Sequence, residues 1–235
     1  MTFHPPLIQG TLLRRYKRFL ADVRLDDGRE ITAHCPNPGS MLSLIDGAPQ
    51  TVWLTPHDDP KRKLQWTLEL LQVGTALVCV NTMRPNLLAR HAIETGLQPS
   101  LDGYETIRRE VKYGEKSRID LLLQSSGRPD CYVEVKGVTM SRRPGVLEFP
   151  DSVTSRGSRH LDELANMVRQ GHRAVMFYLA MRDDGNSFRL AEDIDPAYAE
   201  AFRRAREAGV EAVAQACVIT PEAIYPKAVL PVDID

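Results

Sequence analysis

Short alternating runs of hydrophobic and polar residues fill the first 80 positions of the chain, and this period of two is typical of β-strands. Asp26-Asp27-Gly28 adds a hairpin turn signal. Five short strands within roughly 70 residues predict a small barrel of the OB type. The strand candidates are Leu12–Leu25, Glu30–His34, Gln50–Leu54, Trp66–Val73 and Ala76–Val80.

A different pattern follows, in which helical stripes alternate with strands, and it predicts two domains, 1–82 and 83–235. The mixed order of elements predicts an α/β fold, a mixed sheet flanked by helices on both faces. Helices are expected over Leu87–Thr95 (N-cap Asn86, stop Gly96), over Arg159–Gln170 (N-cap Ser158, stop Gly171), and from Asp195-Pro196 to just before Gly209. Strands are expected over Thr106–Tyr113, Ser117–Gln124, Cys131–Met140, Ala174–Ala180 and Val210–Ile219.

Two of these strands, joined by the turn formers of 125–130, predict a β-hairpin with acidic residues facing each other. A turn centred near Gly127 sets Asp120 opposite Glu134, with Cβ atoms roughly 5 Å apart. Lys136 projects from the same face as Glu134, because side chains alternate along a strand. Two opposed carboxylates repel unless a cation lies between them, so this spacing resembles the D-x(n)-E-x-K arrangement of metal-dependent nucleic-acid cleavage.

A hard cation such as Mg²⁺, or Mn²⁺ in its place, takes oxygen ligands and keeps several waters. Asp120 and Glu134 supply two ligands and the Val135 carbonyl can supply a third. Lys136 would then orient or deprotonate the attacking water, or neutralise developing charge. The structural alternative is an exposed hairpin that carries a cross-strand ion pair. Additional acidic candidates are Glu110 and Asp151.

Local basic clusters stand out on a chain whose net charge is only −1. Such clusters can follow a phosphate backbone, although ordinary solvated faces are the alternative for any one of them. One cluster enters a predicted helix N-terminus, where backbone N–H groups attract anions. The candidate nucleic-acid contacts are Arg14, Arg15, Arg18, Arg142, Arg143, Arg156, Arg159 and His160.

The 43% hydrophobic content is ordinary for a globular protein. No apolar run approaches the roughly 20 residues that span a membrane, and no secretory signal is visible at the N-terminus. The four cysteines are far apart in sequence, which argues against a zinc site or a disulfide framework and fits a reducing cytoplasm. We therefore expect a cytoplasmic protein without a membrane partner.

Three segments together resemble the sugar fermentation stimulation protein A family of bacteria and archaea: Ala33–Met41, the pair Ser117–Asp120 with Glu134–Thr139, and Phe149–Leu161. The resemblance implies an N-terminal OB-like domain and a C-terminal domain with the PD-(D/E)xK nuclease fold, whose characteristic positions here are Asp120, Glu134 and Lys136. It also implies DNA binding and an association with regulation of maltose and other sugar-utilisation genes.

The residues and the resemblance lead to one main hypothesis and two alternatives. The main hypothesis is a DNA-binding protein without strong sequence preference that keeps a Mg²⁺-dependent nuclease centre. The first alternative is a DNA-binding regulator that has the same fold and cuts nothing. An RNA-processing enzyme is the second, because an OB-like barrel accepts either nucleic acid.

Overall fold

The computed structural model describes residues 1–45, 49–114 and 117–233. Its N-terminal part contains six strands, and one of our strand predictions is wrong. The segment predicted as a single strand, Leu12–Leu25, contains a hairpin, because Lys17 and Arg18 take positive φ angles of 48° and 65° and reverse the chain. No glycine marks this turn. The strands are β1 (Ile8–Tyr16), β2 (Leu20–Leu25), β3 (Glu30–His34), β4 (Gln50–Pro56), β5 (Trp66–Val73) and β6 (Ala76–Cys79).

Five of these strands close into a barrel in the order β3-β2-β1-β4-β5, and β6 extends the sheet beyond β5. A parallel pairing of β3 with β5, at His34 and Thr67, closes the ring. The barrel interior is filled by aliphatic side chains such as Val23, Leu54 and Leu68, none of which is exposed. The predicted OB-like barrel is confirmed.

The rest of the described chain forms a mixed sheet with helices on both faces, as predicted. The elements are α1 (Pro85–Glu94), a 3₁₀ turn (Pro99–Leu101), β7 (Thr106–Tyr113), β8 (Ser117–Gln124), β9 (Cys131–Val138), β10 (Met140–Arg143), β11 (Val146–Phe149), α2 (Ser155–Arg169), β12 (Arg173–Ala180), β13 (Ser187–Leu190), α3 (Pro196–Glu207), β14 (Glu211–Ile219), β15 (Ile224–Leu230) and β16 (Val232–Asp233). The sheet order is β15-β14-β12-β9-β8-β7, with β9, β12 and β14 parallel and the outer strands antiparallel. Helix α1 packs on one face, and α2 and α3 pack on the other.

Two predicted helix starts are wrong. Helix α1 begins at Pro85, which suits a first helical position because proline has no N–H to leave unpaired. Asn86 is therefore inside the first turn and is free to act elsewhere. Helix α2 begins at Ser155, since Thr154 is the N-cap and its hydroxyl accepts from the Gly157 N–H at 3.1 Å. Ser158, the predicted cap, is a helical residue.

Several short strands were not predicted. Four of them, β10, β11, β13 and β16, form a second small sheet beside the main one, and the edge strand β15 was also missed. The chain's first residues join the C-terminal sheet, because Thr2 bridges to Ala223 and the Phe3 N–H donates to the Glu222 carbonyl. In the described ranges, every helix is too short or too polar to cross a membrane.

Candidate metal centre and nucleic-acid cleft

The hairpin of β8 and β9 brings the two predicted carboxylates together. Its register pairs Leu121 with Val133, and one further step along the two strands sets Asp120 opposite Glu134. At this point a side chain replaces the backbone hydrogen bonding between the two strands: the Val135 N–H donates to Asp120 Oδ2 at 2.7 Å. The N–H and the carbonyl of one strand residue point to the same edge. The Val135 carbonyl therefore faces the gap between the strands.

Glu134 is only 2% exposed, and its two carboxylate oxygens differ sharply in their surroundings. Oε1 accepts from Lys136 Nζ at 2.7 Å and is also hydrogen-bonded to His160 Nδ1. Oε2 is buried without a hydrogen-bond partner among the described residues. A buried charged oxygen without a partner is costly, and a bound cation would remove that cost.

The two carboxylates have their pKa values displaced in opposite directions. Burial, together with the nearby charge of Glu134, raises the pKa of Asp120 to about 6. Burial also opposes ionisation of Glu134, but the hydrogen bond from His160 and the charge of Lys136 outweigh it and hold the pKa of Glu134 below its ordinary value. Glu134 is therefore ionised across the neutral range, while Asp120 becomes charged only near pH 6.

The donor set fits a hard divalent cation. The protein offers Asp120, Glu134 Oε2 and the Val135 carbonyl, all oxygen atoms, which are the ligands that Mg²⁺ and Ca²⁺ prefer. Over the described ranges, no group of three or more His, Cys, Asp or Glu side chains is arranged to hold a metal. A cation at this hairpin would therefore keep several waters, as Mg²⁺ usually does.

A second layer of side chains positions the carboxylates, and its roles were not predicted from the sequence. Asn86 donates from Nδ2 to Asp120 Oδ1 at 2.7 Å, which is possible because Asn86 lies in the first turn of α1. His160 was predicted as a nucleic-acid contact, but it is 3% exposed and bonds to Glu134. Arg156 Nε donates to His160 Nε2 at 3.3 Å. Because Nε2 of His160 faces the Arg156 donor, Nδ1 is the ring nitrogen that bonds to Glu134 Oε1.

A cleft of about 370 Å³ opens directly onto these groups. The N-terminal turn of α1 forms one wall and the N-terminal turn of α2 forms the other, and the end of β9 forms the floor. Its polar lining consists of Thr82, Asn86, Asp120, Glu134, Lys136, Thr154, Arg156 and His160.

The two additional acidic candidates are not among the residues that line this cleft. Glu110 lies inside β7, with a positive φ of 53°, and its carbonyl accepts from Arg118 Nη1 at 3.0 Å. Asp151 is engaged with the barrel: Ser40 Oγ and the Met41 N–H both donate to its Oδ2 at 3.2 Å. Asp151 thus joins the two parts of the molecule.

The predicted basic contacts fall into two groups. Arg156 and Arg159 are exposed near the start of α2, and Arg156 lines the cleft. Arg143 is also exposed, on β10. The others are engaged within the protein: Arg14 pairs with Asp22 at 2.7 Å, Arg15 donates to the carbonyls of Arg18, Asn37 and Gly39, Arg18 donates to the Pro38 carbonyl, and Arg142 pairs with Glu148 and Asp193.

Comparison with known proteins agrees with this architecture. Residues 83–223 match the family model described as the sugar fermentation stimulation protein RE domain, and residues 13–80 match the SfsA N-terminal OB domain. The sugar fermentation stimulation protein homolog of Ruegeria pomeroyi is 52% identical and covers 95% of this chain and 97% of its own. The homolog of Brucella melitensis is 53% identical and covers 99% and 98%.

A solved structure, Pyrococcus furiosus SfsA in complex with Ca²⁺, has a TM-score of 0.87 and 29% identity, covering 100% of this chain and 98% of its own. The similarity therefore extends over both the barrel and the mixed sheet. Two matched domain models and full-length relatives with about half of their residues identical show that the chain belongs to the sugar fermentation stimulation protein family.

Proposed function

We propose that this protein binds DNA and hydrolyses its phosphodiester bonds with a divalent cation held by Asp120, Glu134 and the Val135 carbonyl. The observation that carries the proposal is Glu134 Oε2, buried and without a hydrogen-bond partner in the described ranges, beside a second carboxylate and a lysine. The complex of the Pyrococcus furiosus relative with Ca²⁺ supports a site for a divalent cation. Mg²⁺ is the expected physiological ion, because a site with so few protein oxygens leaves several waters on the cation, which is how Mg²⁺ is usually bound.

Each residue has a distinct role in this proposal. The cation, when bound, polarises the scissile phosphate and lowers the pKa of an attacking water. Asp120 must lose its proton before it can act as a ligand. His160 holds Glu134 Oε1, which leaves Oε2 directed to the cation. Lys136 orients the water or stabilises charge on the phosphate oxygens, because a fixed ammonium group lowers the electrostatic cost of the transition state.

Arg156 and Arg159 provide contacts to the phosphate backbone that carry no sequence information. They lie where DNA would approach the cleft, at the N-terminal turn of α2, which also directs unpaired N–H groups outward. DNA binding is therefore expected to be sequence-independent and to weaken as the salt concentration rises.

Metal binding is tested by calorimetric titration with Mn²⁺. Wild type should bind, Asp120→Ala should not, and Asp162→Ala should bind like wild type because Asp162 is exposed on α2 away from the cleft. Equal Mn²⁺ affinity in wild type and Asp120→Ala would refute the site.

Catalysis is tested by single-turnover cleavage of plasmid, linear, single-stranded DNA and RNA in Mg²⁺ or Mn²⁺. Lys136→Ala should lower the rate by roughly 10² to 10³ and leave DNA affinity in Ca²⁺ nearly unchanged. Lys227→Ala is the matched control, since Lys227 is exposed on β15, two strands beyond β12 and away from the hairpin. If wild type cuts no substrate with any metal, the alternative stands: a DNA-binding protein that acts on sugar-utilisation genes without hydrolysis.

A further inference from the structure

A second cleft, of about 380 Å³, lies between the barrel and the mixed sheet. Six residues line both this cleft and the one at the carboxylates, among them Lys136, Phe149 and Thr154. The two cavities are therefore neighbours that share a wall. A volume in the range of roughly 300–1,000 Å³ is typical of pockets that bury a small organic ligand. We call this cavity the interdomain pocket.

The barrel wall of the interdomain pocket is held rigidly. It includes residues 37–39 of the barrel loop 36–40, whose carbonyls accept three hydrogen bonds of 2.9 Å, two from Arg15 and one from Arg18. Asp151, from the C-terminal part of the chain, accepts from Ser40 Oγ and the Met41 N–H and ties this loop to the rest of the pocket. A wall fixed in this way is preformed, so a ligand does not have to supply the free energy of ordering it.

The charges around the interdomain pocket distinguish its two ends. Lys136 lies at the end shared with the metal centre. Two carboxylates of the lining, Glu148 and Asp151, belong to the part of the pocket that is not shared with the metal centre; Glu148 is ion-paired with Arg142 and Asp151 is held by the barrel loop. A phosphate is favoured at the lysine end and disfavoured beside the carboxylates, so the ligand portion in the pocket must be uncharged.

Apolar side chains also lie in and near the interdomain pocket. Phe149 is half-buried, and its ring packs against the rings of Tyr178 and Tyr198 at centroid distances of 5.8 and 5.3 Å while also lining both clefts. The two most exposed large apolar side chains in the described ranges are Val153 and Met83, at 75% and 73%. Each is adjacent in sequence to a residue that lines both clefts. Exposed apolar side chains beside a nucleic-acid cleft are suited to contact with bases.

We propose, on the basis of the function proposed above, that the interdomain pocket receives the base of the nucleotide next to the scissile phosphate, unstacked from its neighbours and placed against Phe149. Val153 and Met83, which follow or precede lining residues in the chain and are exposed, would occupy the space that the departing base leaves in the stack. The preferred substrate class is consequently DNA with unpaired nucleotides, because a paired and stacked base must first be extruded at a cost of a few kcal/mol.

The test is a pair of affinities measured in Ca²⁺ by fluorescence anisotropy, which does not depend on cleavage. The ligands are a single-stranded thymidine oligonucleotide and a fully abasic oligonucleotide of equal length and charge. Stacking of a base on an aromatic ring contributes roughly 1–3 kcal/mol, or about 5- to 150-fold in affinity. Wild type should prefer the thymidine strand at least fivefold, and Phe149→Leu should bring the ratio close to one.

Controls separate this effect from general damage to the protein. Tyr225→Leu removes an aromatic ring that is 46% exposed on β15 and should leave the ratio at its wild-type value. If Phe149→Leu proves unfolded by thermal melting, Val153→Ser decides, with Val229→Ser as its control, because Val229 is exposed on β15 as well. Val153→Ser should then lower the ratio by at least twofold.

The two proposals fail in distinguishable ways. A wild-type ratio near one, or a ratio unchanged by Phe149→Leu in a folded protein, overturns the base pocket even if the protein cleaves DNA. A ratio above five in a protein that cleaves nothing with any metal supports the pocket and overturns the nuclease proposal. Faster cleavage of single-stranded than of duplex DNA is the result expected when both hold.

Discussion

The raised pKa of Asp120 makes a sharp prediction about stability in the absence of metal. Burial and the adjacent Glu134 raise this pKa from 3.8 to about 6, so the folded protein holds the proton more tightly than the unfolded chain does. The protonated Asp120 carboxyl therefore stabilises the fold at low pH, and this stabilisation is lost as the pH rises through 6. At about 1.4 kcal/mol for each pKa unit, the full loss is about 3 kcal/mol.

Asp120→Asn removes this ionisation. Between pH 5 and pH 7.5, wild type loses about half of this stabilisation through the ionisation of Asp120, or about 1.4 kcal/mol. The free energy of unfolding of the variant minus that of wild type should therefore be about 1.4 kcal/mol larger at pH 7.5 than at pH 5. Urea titrations at the two pH values, in the presence of a chelator, measure this difference.

Asp193→Asn is the matched control for this experiment. The hydrogen bond from Arg142 lowers the pKa of Asp193 to about 2. Its stabilising contribution is lost only as the pH falls towards 2, so the variant should show no difference between pH 5 and 7.5. A pH-independent effect of Asp120→Asn would refute the reasoning. Addition of Ca²⁺ at pH 7.5 should stabilise wild type more than Asp120→Asn, because only wild type retains both carboxylate ligands.

Three further predictions follow from contacts around the cleft. His160→Ala should weaken Mn²⁺ binding roughly 10- to 100-fold in calorimetry, because the residue that orients a ligand is lost, and an unchanged affinity would contradict its positioning role. Arg156→Ala should lower the salt slope of DNA affinity by about one phosphate, whereas Arg142→Ala should leave the slope unchanged because its charge is already paired. Gly137→Ala should destabilise folding by roughly 1–3 kcal/mol, since a Cβ there would meet Pro85 Cγ at 2.7 Å. Chemical denaturation measures this cost, and a neutral substitution would show that α1 can shift freely.

The sequence by itself determined the elements whose signal is local. The alternation over Trp66–Val73 matches β5, and the turn formers around Gly127 predicted the register that sets Asp120 opposite Glu134. Both succeed because strand period and turn preference depend on neighbouring residues alone. The fold of both domains was predicted from the family motifs.

Local signals failed where packing overrode them. The turn at Lys17 and Arg18 requires left-handed backbone conformations without glycine, which only the surrounding barrel stabilises. The strands β10, β11 and β13 are short, and so few residues have little preference for the strand conformation by themselves. They form because each has a neighbouring strand to pair with.

The surroundings of the carboxylates were decided by tertiary structure. His160 reads in sequence as an exposed basic residue at a helix N-terminus, yet packing of α2 on the sheet buries it against Glu134, 26 positions away. Arg15 reads as a phosphate contact, yet the fold brings loop carbonyls from more than 20 residues away to its guanidinium. A side chain's type sets which bonds it can make, but the assembled fold sets which partners reach it. The sequence therefore specified the two carboxylates and the lysine, and the tertiary structure specified what holds them in place.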